Sequence, residues 1–293
     1  MIAERAGQST PCDAGCLRFF PVACIVAGVS YSVLFRQFPL DQLDALAPVV
    51  AQTFGLTDYD ARTKIRKGWG FLEREATEGD ARRIVAAIGD VAGGVTVVDN
   101  SQLRTLAEPK VMLRFDAAPN GMMLRLQSPK EPTCQVDWSE ISVVAAGRIS
   151  EDTIARESGG NEKTMGKMMM GLGVFLVTGM PVGLFGDKKK KDAKPVKSSR
   201  VITFGRIVTA AGEQFAFGPE HFDFSGLAEK KQMNTAANFR VMLDEWARQA
   251  QARVNLGARL LQENKSLTLA NYTGLHDFDT ELLWLMNAET TAS

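Results

Sequence analysis

His221 stands beside Glu220 and Asp223, and His276 beside Asp277 and Asp279, so each ring has a carboxylate placed to orient it as a general base. No nucleophile accompanies either group, and acidic neighbours of a histidine at an element end ordinarily cap the backbone or stay solvated. Residues Gly160 to Lys167 approach a phosphate-binding loop. Five residues separate the glycines, however, and Met168 stands where a serine or threonine must hold magnesium. The cysteines, Cys12, Cys16, Cys24 and Cys134, form no Cys-x-x-Cys pair and have no histidine near them, which argues against zinc. A chain of 293 residues does not need disulfide staples, so these thiols point to a reducing, cytoplasmic interior. No catalytic, cofactor-binding or metal-ligating residue is expected, and the chain reads as a non-enzymatic protein without a cofactor.

The remaining group with chemistry is cationic: Arg62, Lys64, Arg66 and Lys67, followed by Trp69 and Phe71. Its charges could grip a nucleic-acid backbone while a ring stacks a base, although a solvated helix face explains the same residues. Lysine plus arginine number 34 and aspartate plus glutamate also 34, so no global field draws nucleic acid or an anionic membrane to the whole molecule. Any electrostatic partner must use a local patch. Arg62, Arg66, Lys67 and Trp69 are the expected partner-binding residues, with an unidentified protein as partner and a nucleic acid or the ribosome as the alternative.

The length calls for two domains at roughly 100–200 residues each. Residues 1–29 read as an N-terminal extension. From Tyr31 the run YSVLFRQ reads as a strand. Leu43, Leu46, Ala47, Val50 and Phe54 then form the stripe of a helix that ends at Gly55, with Pro48 inside it. Asp58 can cap a second helix burying Ala61 and Ile65. Thr77 and Asp80 open a third helix with Ile84, Val85 and Ile88 facing inward. VTVVD, Val95 to Asp99, returns as a strand, and Phe71–Glu73 is a further short strand candidate. With its own strands and caps, residues 31–99 are expected to fold alone.

This order resembles the C-terminal domain of the bacterial ribosomal stalk protein and the related adaptor of the Clp protease. The carrying residues are Phe54-Gly55-Leu56 at the helix junction, Asp60-Ala61-Arg62 opening the second helix, and Glu75-Ala76-Thr77-Glu78-Gly79-Asp80-Ala81 leading into the third. The resemblance covers residues 31–99 within a domain of 30–100. It implies a small protein-binding α/β module without catalysis.

From Lys110 the apolar period becomes two. VMLRFD and MMLRLQ flank a turn at Asn120-Gly121, and further strands are expected at ISVVAAGRI, at Val201 to Val208, at Gln214 to Phe217 and at His221 to Phe224. A helix capped near Asn234 or Thr235 carries Phe239, Met242, Leu243 and Trp246 on one face, a stripe able to plug an open barrel. The fold class is thus α+β: a small α/β domain, then an antiparallel β barrel or sandwich closed by a helix. Asn120-Gly121, Trp138-x-x-Ile141 and the amphipathic helix resemble pleckstrin-homology-like domains over 108–252. A helical tail, 253–293, would pack Leu260, Leu261 and Leu282 to Met286 onto the barrel.

Residues 150–200 interrupt this second domain. Met168 to Gly186 is 19 residues without a charge, flanked by Lys163 and Lys167 on one side and Lys188, Lys189, Lys190 and Lys191 on the other. As a helix it would reach roughly 28 Å, close to the ~30 Å hydrocarbon thickness. Its glycines and Pro181 leave insertion marginal, at about −2 to −5 kcal/mol for its Leu, Val and Phe residues. It could touch a membrane as a hairpin, be a buried or partner-covered helix, or span. A single span would place the two halves of one barrel on opposite sides of a membrane. The expected contact is therefore with an anionic surface at the inner face of a membrane, through Phe175, Leu176, Leu184, Phe185 and Lys188 to Lys191.

Overall fold

The computed structural model describes residues 29–89, 91–150 and 201–288. The first module has the order β1 (Tyr31–Phe35), α1 (Leu43–Phe54), α2 (Asp58–Gly68), β2 (Phe71–Ala76), α3 (Glu78–Ile88) and β3 (Val95–Asp99). Its sheet is antiparallel in the order β2-β1-β3. The short strand candidate at Phe71 is thus a full edge strand. Local signals explain the helix limits. Gly55 closes α1 with φ 65°, a left-handed turn that glycine adopts without strain. Thr57 and Thr77 cap α2 and α3 by accepting the Asp60 and Asp80 amides at 3.1 and 3.2 Å. Asp58, expected as the cap of α2, is instead its first helical residue.

The second module contains β4 (Lys110–Ala118), β5 (Gly121–Leu126), β6 (Thr133–Asp137), β7 (Ile141–Ser150), β8 (Val201–Thr209), β9 (Gln214–Phe217) and β10 (Arg253–Val254). Its helices are α4 (Thr235–Ala250), α5 (Leu256–Gln262) and α6 (Leu275–Asn287). The chain is mixed α+β, but the expected barrel does not close. The seven strands run β10-β7-β8-β9-β4-β5-β6, and the end strands β10 and β6 do not pair. The parallel ladders β4–β9 and β10–β7 hold two residue pairs each. Phe239, Met242, Leu243 and Trp246 of α4 are buried against Phe115, Phe217 and Phe222 of this sheet and its neighbouring loop.

Two sequence expectations shift. The β4–β5 turn is Pro119-Asn120, closed by the pair Ala118–Gly121. Gly121 serves close approach, since a Cβ there would lie 2.3 Å from the Val136 carbonyl of β6. His221 to Phe224 is not a strand: Asp223 makes one isolated bridge to Arg114, and a 3-10 turn begins at Phe224. Ser150 pairs directly with Val201 across β7–β8, so residues 151–200 leave and rejoin the sheet at one point. No helix among the described residues is long and apolar enough to cross a membrane.

The first module has two apolar faces. One packs β1 against the buried stripes of α1, α2 and α3. The other, with Leu34, Trp69, Phe71 and Val98, belongs to a core shared with Tyr272, Phe278 and Trp284 of the C-terminal segment. Trp284 Nε1 donates to the Phe35 carbonyl at 2.7 Å, and a Cβ at Gly70 would lie 2.1 Å from the indole. The tail thus joins both modules and is not an appendage of the sheet alone. Residues 31–99, expected to fold independently, complete one face only in its presence.

Behind this seam lies a buried polar network. Asn255 Oδ1 accepts the Ala146 and Ala258 amides, while Asn255 Nδ2 donates to the Ala146 carbonyl and Tyr272 Oη, each at 2.9 Å. The Tyr272 hydroxyl donates to Glu281, whose second oxygen accepts the Leu256 amide at 2.7 Å. Both bonds favour the carboxylate, yet complete burial dominates and pushes Glu281 up to about 7.

Two outcomes follow from this packing. Trp284→Ala should cost about 3–5 kcal/mol in a urea titration. A fragment of residues 29–104, with Leu34 and Phe71 uncovered, should bind a hydrophobic dye and melt without a sharp transition. An unchanged urea midpoint together with a sharply melting fragment would remove the seam from the stability of the chain. The second outcome concerns pH. The folded carboxyl of Glu281 holds its proton to about 7 and the unfolded one to about 4.5. Between those values the folded state binds more protons, so stability falls as pH rises through that window, by about 3 kcal/mol in total. Glu281→Gln should lower stability, because the Tyr272 and Leu256 hydrogen bonds end on different oxygens and the amide puts a donating NH2 in place of one of them, and should flatten the melting temperature between pH 5 and about 7.

Candidate partner-binding surface

The basic residues of α2 divide into two classes. Arg62 is clamped by Asp44 of α1 at 2.6 Å and by Asp58 one turn earlier at 2.7 Å. Lys64 donates to Glu73 of β2 at 2.7 Å and lies 4.5 Å from the Phe54 ring centre. Their charges are matched within the module. Arg66 and Lys67, in the last turn where cations complement the helix dipole, are exposed and form no ion pair among the described residues. Tyr59, 77% exposed, stands at the other end of the same helix.

Trp69 does not belong to this surface. It follows α2 in a left-handed conformation with φ 48°, and Gly70 continues the reversal into β2 with φ 95°. The turn carries the indole under Tyr272, with ring centres 4.7 Å apart, and leaves the residue 7% exposed. Trp69 therefore offers no exposed stacking platform beside the cations, because the seam uses the ring for packing.

Beside Lys67 a cleft of about 340 Å³ opens between β2 and α6. Lys64, Lys67, Arg74, His276 and Thr280 line it, and Glu73, the carboxylate in its wall, is held by Lys64. Arg74 lies over Phe71 at 4.1 Å. Arg74 and His276 escaped the sequence reading as partners of Lys67, because nothing local links β2 to the first turn of α6.

The histidine–carboxylate neighbours are used structurally. Asp277 accepts the Thr273 amide at 2.8 Å, and Asp279 pairs with the buried Arg206 at 2.5 Å. Asp223 accepts the Ser225 amide at 2.9 Å and lies 3.6 Å from Arg114. These carboxylates cap and brace, as acidic residues at element ends commonly do. Phe175, Leu176, Leu184, Phe185 and Lys188 to Lys191, with Gly160 to Lys167, lie outside the described residues. Among the described residues no group of three or more His, Cys, Asp and Glu side chains could hold a metal. No family model, no curated protein and no solved structure matches this chain.

Proposed function

We propose that this chain is a non-enzymatic adaptor whose cleft between β2 and α6 receives an acidic segment of a partner protein. The observation that carries the reading is the pair Arg66 and Lys67, exposed and unmatched by any carboxylate among the described residues, beside a cleft that adds Arg74 and His276. A carboxylate-rich segment would find unused positive charge there, which raises association rates and selects partners by sign. The burial of Trp69 speaks for a protein rather than a nucleic acid, because base stacking loses its ring. We read residues 31–99 as a stalk-protein-like or Clp-adaptor-like module, on its order of strands and helices. The second module we read as pleckstrin-homology-like, on its hairpins followed by α4.

A second element of the proposal is contact with the inner, anionic face of a membrane through residues 168–186 and their flanking lysines. The direct pairing of Ser150 with Val201 supports it, since both ends of the insertion then start from one side. An excursion fits that constraint and a single crossing does not.

Fluorescence anisotropy of the full chain with a labelled glutamate-rich peptide tests the first element. Arg66→Glu with Lys67→Glu should weaken binding by about tenfold or more, with wild-type binding falling as salt rises and thermal stability unchanged. Tighter binding to a single-stranded RNA would replace the protein partner with nucleic acid. Absence of binding to both would remove this surface from the function. Co-sedimentation with anionic vesicles tests the second element. Phe175→Ser with Phe185→Ser, or replacement of Lys188 to Lys191 by glutamine, should each lower binding. Equal sedimentation of all three proteins would end the membrane reading.

A further inference from the structure

The cleft beside Lys67 has the outer edge of β2 along its floor. β2 is a terminal strand, since the sheet runs β2-β1-β3 and β1 alone pairs with it among the described residues. Both of its faces are covered. Leu72 packs into the core of α1, α2 and α3, and Phe71 into the core shared with α6. The edge remains. Phe71 to Arg74 line the cleft in succession, with Lys67 of α2 on one side and His276 and Thr280 of α6 on the other. A second cleft, of about 230 Å³ beside Trp284, gathers Arg36, Arg253 and Arg259. There, however, Asp41 takes Arg259 at 2.8 Å and the Leu285 carbonyl takes Arg253 at 2.5 Å.

We propose that the β2 edge receives the acidic segment of a partner protein as an added, extended strand. The proposal rests on the partner surface of α2 and states the form that its occupant takes. Backbone geometry supplies the contacts. Leu34 faces Phe71 across the ladder, while the Phe35 amide, one residue on, donates to the Gly70 carbonyl at 2.9 Å. In an antiparallel ladder such a pair is of the non-hydrogen-bonded kind, so the Phe71 amide and carbonyl point away from β1. Arg74 has no register partner on β1, and its amide donates to the Glu73 side chain beside it at 3.3 Å, a long bond. An added strand offers each of these groups a backbone partner.

The same ladder sets the length. Its register shifts between Val33 and Leu34, and Glu75 is left-handed with φ 58°, so the usable edge runs from Gly70 to Arg74. Pairing over so few residues is weak, and such irregularities keep an edge from joining every strand it meets. Charge supplies the selection. Glu73 is the one carboxylate among the cleft's lining residues and is held by Lys64, while Lys67 and Arg74 have no carboxylate partner among the described residues. Side chains of an added strand alternate between its two faces. Glutamates at every second position therefore meet the side where Lys67 stands, and the residues between them face His276 and Thr280 of α6.

Fluorescence anisotropy of the full chain with a labelled five-residue peptide of alternating glutamate and threonine tests the proposal. The peptide is compared with one N-methylated at its glutamates and one N-methylated at its threonines. Successive residues of a strand turn their amides to opposite edges, so one methylated peptide loses its bonds to β2 and the other loses none. One should bind about tenfold more weakly and the other like the unmodified peptide. With the unmodified peptide bound, the Arg74 amide should exchange its hydrogen about tenfold more slowly or less. Equal affinities of the two methylated peptides, or unchanged exchange at Arg74 under saturation, would overturn strand addition. Weaker binding of the unmodified peptide by Arg66→Glu with Lys67→Glu would in that case still uphold the acidic partner surface. No binding of the unmodified peptide at about 1 mM would remove that surface, and the added strand with it.

Discussion

The Trp284 side chain is the contact on which the arrangement of this molecule depends. Its indole N–H reaches the Phe35 carbonyl, its ring lies against a position where only glycine fits, and Phe38 covers a further side. A buried tryptophan removes about 150–250 Å² from water, and its N–H left unpaired there would cost about 1–3 kcal/mol. Burial and bond therefore reinforce each other only when α6 meets the end of β1 in one alignment. The last described helix thereby orients the first sheet. Both clefts follow from this placement, because His276 and Thr280 of α6 line one and Trp284 and Leu285 the other.

The polar network beneath the seam serves the same alignment by a different means. β10 contributes only two residues to its ladder with β7, and the Asn255 side chain carries the pairing onward to Ala146. The same side chain caps α5 and meets Tyr272, which passes the connection to Glu281 on α6. All four hydrogen-bonding positions of the Asn255 amide are used, which makes its complete burial tolerable. Glu281 is the member on which burial and bonding pull in opposite directions, so the junction is where this fold is sensitive near neutral pH.

Charge that is balanced overall is unbalanced locally. Arg62 and Lys64 are matched by Asp44, Asp58 and Glu73, whereas Arg66, Lys67 and Arg36 have no such partner among the described residues. Equal totals of acidic and basic residues exclude a long-range field but say nothing about clefts, where screening is weaker and a surplus of one or two charges matters. The two cationic clefts also differ in kind. Two lysine ammonium groups and the Arg74 guanidinium line the cleft near α2, while three guanidiniums meet beside Trp284.

The sequence by itself determined the features whose physics is local. Apolar spacing placed α1, α3 and α4, Gly55 and Thr77 marked helix limits, and alternation marked β4 and β5, because period and caps are set within a turn or a pleat of the residue concerned. Its cationic candidates Arg66 and Lys67 were legible as exposed charges on α2. Only the tertiary structure decided that Trp69 is packed rather than presented, that the sheet stays open, and that Arg36 shares a cleft with Arg253 and Arg259. Each of these depends on contacts across long stretches of chain, such as Phe35 with Trp284 or Trp69 with Tyr272. Side-chain burial is settled by which surfaces exclude water together, and no pattern near Trp69 in the chain shows that Tyr272 will cover it.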